Sequence, residues 1–286
     1  MVIDVSENNG RIDWAKVKAA GVTHAIIRCG YGKDIKKQDD KQYINNMDGA
    51  LANGIKVGVY FYSYASNIST AWQEAAHAIR LIDPYKSKLS LPVFYDLEEN
   101  DYKSAAKENA RAFITELNKA GYNVGIYSSS SWFKNILNGV DCYARWVAQW
   151  GTNDGKKHTK PSNADVWQYT SVGTVNGISG RVDMNEIINT NMKPLIDGSN
   201  NNDDGKGGDT VTIELPVIRL GDKGEAVKTV QRLLNALGFR DQNGAVLKVD
   251  GDAGKRTIYA TKNFQRANGM TSDGEIGVKT WSALLM

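Results

Sequence analysis

Four acidic residues stand at or near the ends of short apolar runs in the first 195 residues. Asp4 follows Val-Ile, Asp96 and Glu98 lie in Val-Phe-Tyr-Asp-Leu-Glu-Glu, and Asp183 lies in Gly-Arg-Val-Asp-Met-Asn. Two carboxyl groups in one confined site cannot both ionise freely, so one keeps its proton near neutral pH beside an anion. A proton donor beside an anion is what cleavage of a glycosidic bond requires. The four acids therefore predict a glycosidase, provided that the fold brings them together.

The spacing of the second and third acids also carries information. Asp96 and Glu98 are two residues apart, so on one strand they project to the same face, and Glu99 projects to the other. Two strand rises separate them by roughly 6.6 Å, which lies between the carboxyl separations of retaining and inverting glycosidases. The spacing leaves the stereochemistry of the reaction open.

Aromatic residues supply a second requirement, because sugar rings present apolar faces that pack on flat side chains. Tyr60, Tyr62 and Tyr64 alternate along one apolar run and share a face. In a parallel barrel, ligands bind at the C-terminal ends of the strands. We therefore expect three aromatic residues near such ends to bind the substrate: Tyr62, Tyr127 and Trp150.

Other kinds of site lack a motif. Three histidines and two cysteines without HExxH or CxxC spacing predict no metal site, and no cofactor is expected because phosphate-binding glycine motifs are absent. A net charge of +3 predicts neither nucleic-acid binding nor membrane binding, and no sequence feature predicts an obligate protein partner. No apolar run approaches the ~20 residues of a transmembrane helix. Cys29 and Cys142 are expected to be free thiols.

The elements that position the acids alternate between strands and helices, which predicts an α/β protein with a parallel sheet. Gly21, Gly54 and Gly121 each follow a predicted helix, where a left-handed cap is expected. Five strand-helix units followed by three closely connected strands can close a barrel. The predicted helices are Asp13–Ala20, Asp40–Asn53, Thr70–Ile82 and Ala105–Ala120. The predicted strands are Val2–Val5, Ala25–Cys29, Val57–Ser63, Val93–Leu97, Val124–Tyr127, Ala144–Trp150, Asp165–Tyr169 and Gly180–Met184.

The 286 residues divide into two predicted domains. Residues 197–209 contain no apolar side chain, so we predict a barrel over 1–195, a flexible linker over 196–213 and a second domain over 214–286. The second domain contains two DGxxGxxT octets, at 250–257 and 273–280, each predicted to lead into a helix of a small all-α bundle. Its predicted core positions are Val227, Val230, Leu234, Leu237, Ala260, Phe264, Trp281 and Leu285.

Residues 1–192 resemble glycoside hydrolase family 25, the family of bacterial and bacteriophage muramidases. The resemblance rests on DVSENNGRIDW, GVYFYSY, FYDLEEN, GIYSSSSWF, RWVAQW and WQYTSVGTVNGISGRVDMN. It implies an irregular TIM-like barrel that hydrolyses the β-1,4 bond between N-acetylmuramic acid and N-acetylglucosamine. It also implies that Glu98 is the general acid, that Asp96 is its partner carboxylate, and that Asp4 and Asp183 complete the pocket. Many relatives carry histidine where Phe61 stands, which we expect to alter the pocket rim.

Residues 214–286 resemble a small helical peptidoglycan-binding domain, through LGDKGEAVKTVQRLLNALGF and DGDAGKRTIYATKNFQRANGM. The two resemblances together imply an endolysin whose partner is bacterial peptidoglycan. The N-terminus shows no secretory signal, so we expect synthesis in the bacterial cytoplasm and action on the wall after release. Two alternatives remain open: a non-catalytic wall-binding protein on the same barrel, and a glucosaminidase that cuts the opposite glycan bond.

Overall fold

The computed structural model describes residues 1–196 and 216–284. These residues form two compact units, one in each described range. The predicted linker at 196–213 lies outside the described residues apart from its first residue, and so does Leu285. Within the two described ranges, no helix is long and apolar enough to cross a bilayer.

The first unit is a closed barrel of eight strands that neighbour one another in chain order. Pairing is parallel from the first strand to the seventh, and the eighth is antiparallel to both the seventh and the first. The predicted irregular α/β barrel is therefore confirmed. The strands are β1 Val2–Val5, β2 His24–Tyr31, β3 Lys56–Tyr62, β4 Leu89–Asp96, β5 Val124–Ser129, β6 Arg145–Ala148, β7 Val166–Gly173 and β8 Val182–Ile187.

Five helices connect the first six strands, and their ends follow local sequence signals. The side chains of Asp13, Asn67 and Ser129 cap three helix N-termini by accepting backbone N–H bonds. The three glycines expected after helices have φ between 64° and 90°, as a left-handed cap requires. The helices are α1 Trp14–Ala19, α2 Tyr43–Ala52, α3 Ile68–Ile82, α4 Ala106–Lys119 and α5 Ser130–Asn135.

Alternation along the strands sorts side chains into two cores. On β3, Val57, Val59 and Phe61 face the surrounding helices, while Tyr60 packs inside the barrel. Phe61 is fully buried against His77 and Phe113, with ring centroids 5.1 and 5.9 Å away. The expectation that Phe61 alters the pocket rim is therefore wrong, because its strand position directs the ring away from the barrel interior.

The second unit contains three helices, α6 Glu225–Ala236, α7 Lys255–Ala267 and α8 Val278–Leu284. The expected core positions Val227, Val230 and Leu234 are buried together with Trp281. The prediction that Leu237 belongs to this core is wrong: its side chain is 51% exposed, because α6 ends one residue earlier, at Ala236. The core of this unit otherwise follows the predicted helical pattern.

The repeated octets form equivalent turns in this unit. Gln231 is buried; its Nε2 donates to Asp250 Oδ1 at 2.9 Å, and its Oε1 accepts from Gly251 N at 2.9 Å. Gln265 makes the same two contacts with the second octet, 2.7 Å to Asp273 Oδ1 and 2.8 Å from Gly274 N. A buried glutamine carboxamide in α6 thus fixes the turn before α7, and another in α7 fixes the turn before α8.

Truncation of the outer core of the barrel tests this packing. Phe113 stacks on Tyr95 with ring centroids 3.8 Å apart. We expect Phe113→Ala to lower the free energy of unfolding by about 3–5 kcal/mol, through lost burial and a cavity. The exposed Ile44 on α2 provides the control, and Ile44→Ala is expected to change it by about 0.5 kcal/mol or less. Equal effects of the two variants in chemical denaturation would contradict this packing.

Candidate active site

Strand register places the predicted site residues around one end of the barrel. Asp96 ends β4, with Tyr62 of β3 and Tyr127 of β5 as its direct neighbours. Asp4 of β1 lies opposite Asp183 of the antiparallel β8. The C-terminal end of the parallel strands therefore holds the predicted acids and aromatic residues together, at the position where barrel enzymes bind their ligands.

Asp4 and Asp183 form a coupled carboxyl pair. They are direct cross-strand neighbours on β1 and β8, so a charge on either carboxyl group opposes ionisation of the other. Burial and the neighbouring Asp183 raise the pKa of Asp4 well above its usual value, while burial raises the pKa of Asp183 to about 6. Two carboxyl groups that interact in this way titrate as a pair and not independently.

Asp96 is buried and has one carboxyl oxygen that is unpartnered within the two described ranges. It is 4% exposed, and its Oδ1 is buried without a hydrogen-bond partner among the described residues. Burial, Glu98 and Asp4 all raise the pKa of Asp96, and Arg28 opposes them. Arg28 is itself held by Asp40, whose Oδ2 accepts from its Nε at 2.8 Å. Sequence reasoning missed Arg28, although a cation in the apolar run Ala-Ile-Ile-Arg-Cys is a signal.

Glu98 lies beyond the end of β4, at the mouth of the pocket. Much of its side chain is exposed, yet partial burial and the adjacent Glu99 raise the pKa of its carboxyl group, while the nearby Tyr62 hydroxyl group lowers it. That hydroxyl group donates its hydrogen bond to Glu99 Oε1 at 2.5 Å. The expectation that Glu99 points to the opposite face is wrong, because the strand ends at Asp96 and alternation stops there.

Two buried carboxamides, which sequence reasoning missed, hold Asp4. Gln168 Nε2 and Asn185 Nδ2 both donate to Asp4 Oδ2, at 3.1 and 2.8 Å. Gln168 Oε1 accepts from Tyr127 Oη and Trp150 Nε1, each at 2.9 Å. The sequence signal for both residues is a carboxamide within an otherwise apolar strand, in Val-Trp-Gln-Tyr and in Asp-Met-Asn, because a buried carboxamide needs hydrogen-bond partners.

The three expected substrate-binding aromatic residues differ in exposure. Trp150 lies two residues beyond the end of β6 and is 36% exposed, and Tyr62 is half-buried at the mouth. Tyr127 is 7% exposed and packs on Trp146 with ring centroids 4.5 Å apart, so it belongs to the pocket floor. Tyr64 is 44% exposed and lies 5.1 Å from Tyr62 between ring centroids, which extends the aromatic surface outward.

A separate buried carboxyl group supports this aromatic segment from behind. Glu74 on α3 accepts from Tyr64 N at 2.7 Å, Ser63 Oγ at 2.9 Å and Tyr95 Oη at 2.5 Å. Burial raises the pKa of Glu74 to about 7, although these donors lower it. The bonds fix the residues that follow β3 and thereby position the exposed Tyr64 ring.

The site can donate a proton at its mouth and stabilise positive charge on its floor. In the described part of the chain, no three histidine, cysteine or acidic residues are grouped so that they could hold a metal ion. Cys29 is a buried free thiol that donates to Tyr60 O at 3.2 Å, and Cys142 is also free. Carboxyl chemistry at the C-terminal end of a barrel is the arrangement of a glycosidase.

Comparison with known proteins identifies the family. Residues 3–178 match Glycosyl hydrolases family 25, and the chain belongs to this family. The catalytic domain of endolysin ply40 from bacteriophage P40 of Listeria monocytogenes has 30% identity and a TM-score of 0.57, covering 65% of this chain and 91% of that one. The autolysin LytC of Streptococcus pneumoniae, in complex with a synthetic peptidoglycan ligand, has 32% identity and a TM-score of 0.55. That match covers 64% of this chain but 45% of LytC.

The second unit also has a known counterpart. Residues 223–284 match a putative peptidoglycan binding domain. The autolytic lysozyme of Clostridium acetobutylicum is 29% identical over 286 residues, covering 98% of this chain and 77% of the relative. The chain is therefore a lysozyme-type glycosidase that acts on the cell wall.

The coupled pair predicts a pH-dependent stability. The pKa of Asp183 is raised to about 6 in the folded chain, so this carboxyl group loses its proton at lower pH in the unfolded chain than in the folded one. The free energy of unfolding therefore falls as pH rises from about 4 to about 6. Asp183→Asn removes the second charge and can donate to Asp4. We expect it to raise the free energy of unfolding by about 2 kcal/mol near pH 8, with little gain near pH 4.

Denaturation of both proteins at the two pH values measures this effect. The exposed Asp101 supplies the control, and Asp101→Asn is expected to change stability by less than about 0.5 kcal/mol at either pH. An Asp183→Asn variant that is less stable than wild type near pH 8 would show that the pair does not carry an uncompensated charge.

Proposed function

We propose that this glycosidase cleaves the β-1,4 bond between N-acetylmuramic acid and N-acetylglucosamine, with Glu98 as the general acid. The observation that carries the proposal is the position of Glu98, which has a raised pKa at the mouth of a pocket whose floor is lined by buried acids. A carboxyl group with a raised pKa keeps the proton that the leaving sugar oxygen needs. The names of its relatives, an autolytic lysozyme and an endolysin, support the same reaction.

The other three acids act on the positive charge that develops at the sugar carbon. Asp96 is the partner carboxylate of Glu98, and the two affect each other electrostatically. Asp4 and Asp183 add negative charge from the opposite strands of the barrel. Anionic side chains in a water-poor pocket stabilise such charge more strongly than water does.

Substrate contacts follow from exposure. Trp150 and Tyr62 present accessible ring surface at the mouth, so we assign them to the sugar rings on which the enzyme acts. Tyr127 is largely enclosed, and we assign it to the pocket floor beneath the cleaved bond. No cofactor enters the proposed reaction, since proton transfer and charge stabilisation both come from side chains.

We further propose that the chain is organised as a barrel over 1–195, a linker over 196–213 and a wall-binding domain over 214–286. The two family matches at 3–178 and 223–284 support this division. Binding of the second domain to peptidoglycan raises the local concentration of glycan around the barrel. The resemblance to a bacteriophage endolysin supports a role in host lysis. A cytoplasmic origin, and the absence of nucleic-acid or obligate protein partners, stay predictions.

Replacement of the proposed general acid tests the reaction directly. We expect Glu98→Gln to lower turnover at least about 100-fold while preserving the fold, because it removes the transferable proton and little volume. Glu99→Gln is the matched control and is expected to lose less than about tenfold. Mass spectrometry of fragments from purified peptidoglycan should show reducing-end N-acetylmuramic acid from wild type and from Glu99→Gln.

The products separate the alternatives. Reducing-end N-acetylglucosamine would assign the opposite glycan bond to this site. Binding to the wall without any released fragment would make the chain a wall-binding protein. Activity of Glu98→Gln within tenfold of wild type would move the acid role to another residue.

Limited trypsin digestion tests the division into domains. Lys206 is the single basic residue between 196 and 213, so cleavage there separates the proposed domains. We expect a folded N-terminal fragment that retains activity on soluble glycan fragments, and a C-terminal fragment that sediments with purified sacculi. Circular dichroism, activity and sedimentation measure these outcomes. An unfolded or inactive N-terminal fragment would show that the two parts depend on each other.

A further inference from the structure

Two tryptophan side chains determine how two carboxamides face the same carboxyl group. Trp150 Nε1 donates to Gln168 Oε1 at 2.9 Å. An indole N–H can only donate, so the oxygen of the Gln168 carboxamide must face Trp150. The Nε2 group of Gln168 is then directed to Asp4 Oδ2, 3.1 Å away.

The second tryptophan, on β6 itself, repeats this arrangement with a carboxamide from β8. Trp146 Nε1 donates to Asn185 Oδ1 at 2.8 Å, and Asn185 Nδ2 donates to Asp4 Oδ2 at 2.8 Å. Trp146, Gln168 and Asn185 are 1%, 2% and 4% exposed, so solvent does not offer alternative hydrogen-bond partners. Both chains of hydrogen bonds, each from an indole through a carboxamide, end on one oxygen atom.

An oxygen that accepts two N–H bonds from fixed donors has no place for a proton of its own. A proton taken up by this pair of carboxyl groups is therefore excluded from Asp4 Oδ2. We propose that Trp150 and Trp146 are positioning residues that act through Gln168 and Asn185 to keep Asp4 Oδ2 unprotonated, so that a proton taken up by the pair is carried by Asp4 Oδ1 or by Asp183. This inference rests on the proposed function, in which the pair stabilises positive charge.

The surroundings of Asp4 explain why such an arrangement is needed. Asp183 on β8 and Asp96 on β4 face it with like charge, and Tyr60 on β3 and Tyr127 on β5 are the other titratable groups that interact with it. Burial and like charge both oppose ionisation of Asp4, and the two N–H donors oppose that effect. The two neutral carboxamides thus favour the anionic form of Asp4 without adding a positive charge that would cancel its negative charge.

Trp150 also connects this arrangement to the substrate. Its indole is 36% exposed at the mouth, where we assign it to a sugar ring, while its N–H group faces inward to Gln168. One side chain therefore combines a binding surface with control of the charge on Asp4. Trp146, which is 1% exposed, performs only the second role.

The variant Trp150→Phe separates these two roles, because it keeps an aromatic surface and removes the N–H donor. Tyr127 can accept as well as donate, so the Gln168 carboxamide is then free to rotate and stop donating to Asp4. Loss of a donor raises the pKa of Asp4. The experiment measures kcat/KM on soluble glycan fragments as a function of pH, and we call the low-pH side of this profile, where activity falls, the acidic limb. We expect the acidic limb to move to higher pH by roughly one unit, so that kcat/KM at a fixed pH on this side falls about tenfold.

The matched control is Trp167→Phe. Trp167 lies beside Gln168 on β7 and is 1% exposed, but its indole donates to the backbone oxygen of Gln149 at 2.8 Å. The acidic limb of this variant is expected to stay within about 0.2 pH units of wild type, since no carboxamide rotates. A Trp150→Phe enzyme that loses activity equally at every pH, with an unmoved limb, would make Trp150 a stacking surface only and overturn the proposal.

A measurement without activity keeps the inference separate from the proposed reaction. In proton-nitrogen NMR spectra of the full wild-type chain, the indole resonance of Trp146 should titrate with the same midpoint as the acidic limb, and that of Trp167 should not. A Trp146 resonance that ignores pH between about 4 and 8 would overturn the proposal. Absence of reducing-end N-acetylmuramic acid from wild-type digests would instead refute the proposed function and leave the titration to test the proton's position.

Discussion

Removal of carboxyl groups from water is the physical constraint on which this site depends. Asp4 and Asp96 are each 4% exposed, in a pocket that also contains Asp183 and the partly buried Glu98. Each ionisation inside the barrel opposes the next, so the acids share protons and retain them at higher pH than exposed acids do. The same loss of solvation that opposes folding provides a proton donor and an anion in one small volume.

The barrel tolerates these acids because the remaining polar groups around them are organised in advance. Gln168 and Asn185 supply N–H donors to Asp4, and Arg28 supplies positive charge near Asp96. Arg28 is in turn oriented by Asp40. Buried polar groups stabilise one arrangement when they are satisfied and destabilise the fold when they are not. Asp96 Oδ1, on the floor of the pocket, is an exception, because it has no hydrogen-bond partner in the described part of the chain.

Strand alternation separates this polar interior from the apolar layer under the helices. On β4, Tyr95 stacks on Phe113 of α4, whereas its neighbours Phe94 and Asp96 face the barrel interior. Glu74 extends the outer layer to the segment after β3 and fixes Ser63 and Tyr64. The helices thus contribute to the active site by holding the strand ends from outside.

The sequence by itself determined the strand-helix order, the closed barrel, the four acids, the family and the second peptidoglycan-binding unit, because these depend on local periodicity and on motifs contiguous in the chain. The tertiary structure decided where individual side chains point at the ends of strands and helices, which the periodicity of the sequence does not specify. Glu99 turns back to Tyr62 because β4 ends before it, Phe61 faces the helices, and Leu237 is exposed where α6 ends. Gln168 and Asn185 reach Asp4 from 164 and 181 residues away along the chain. Contacts of that kind, and the desolvation that sets the protonation of the acids, exist only once the barrel closes, since both depend on which side chains share a volume from which water is excluded.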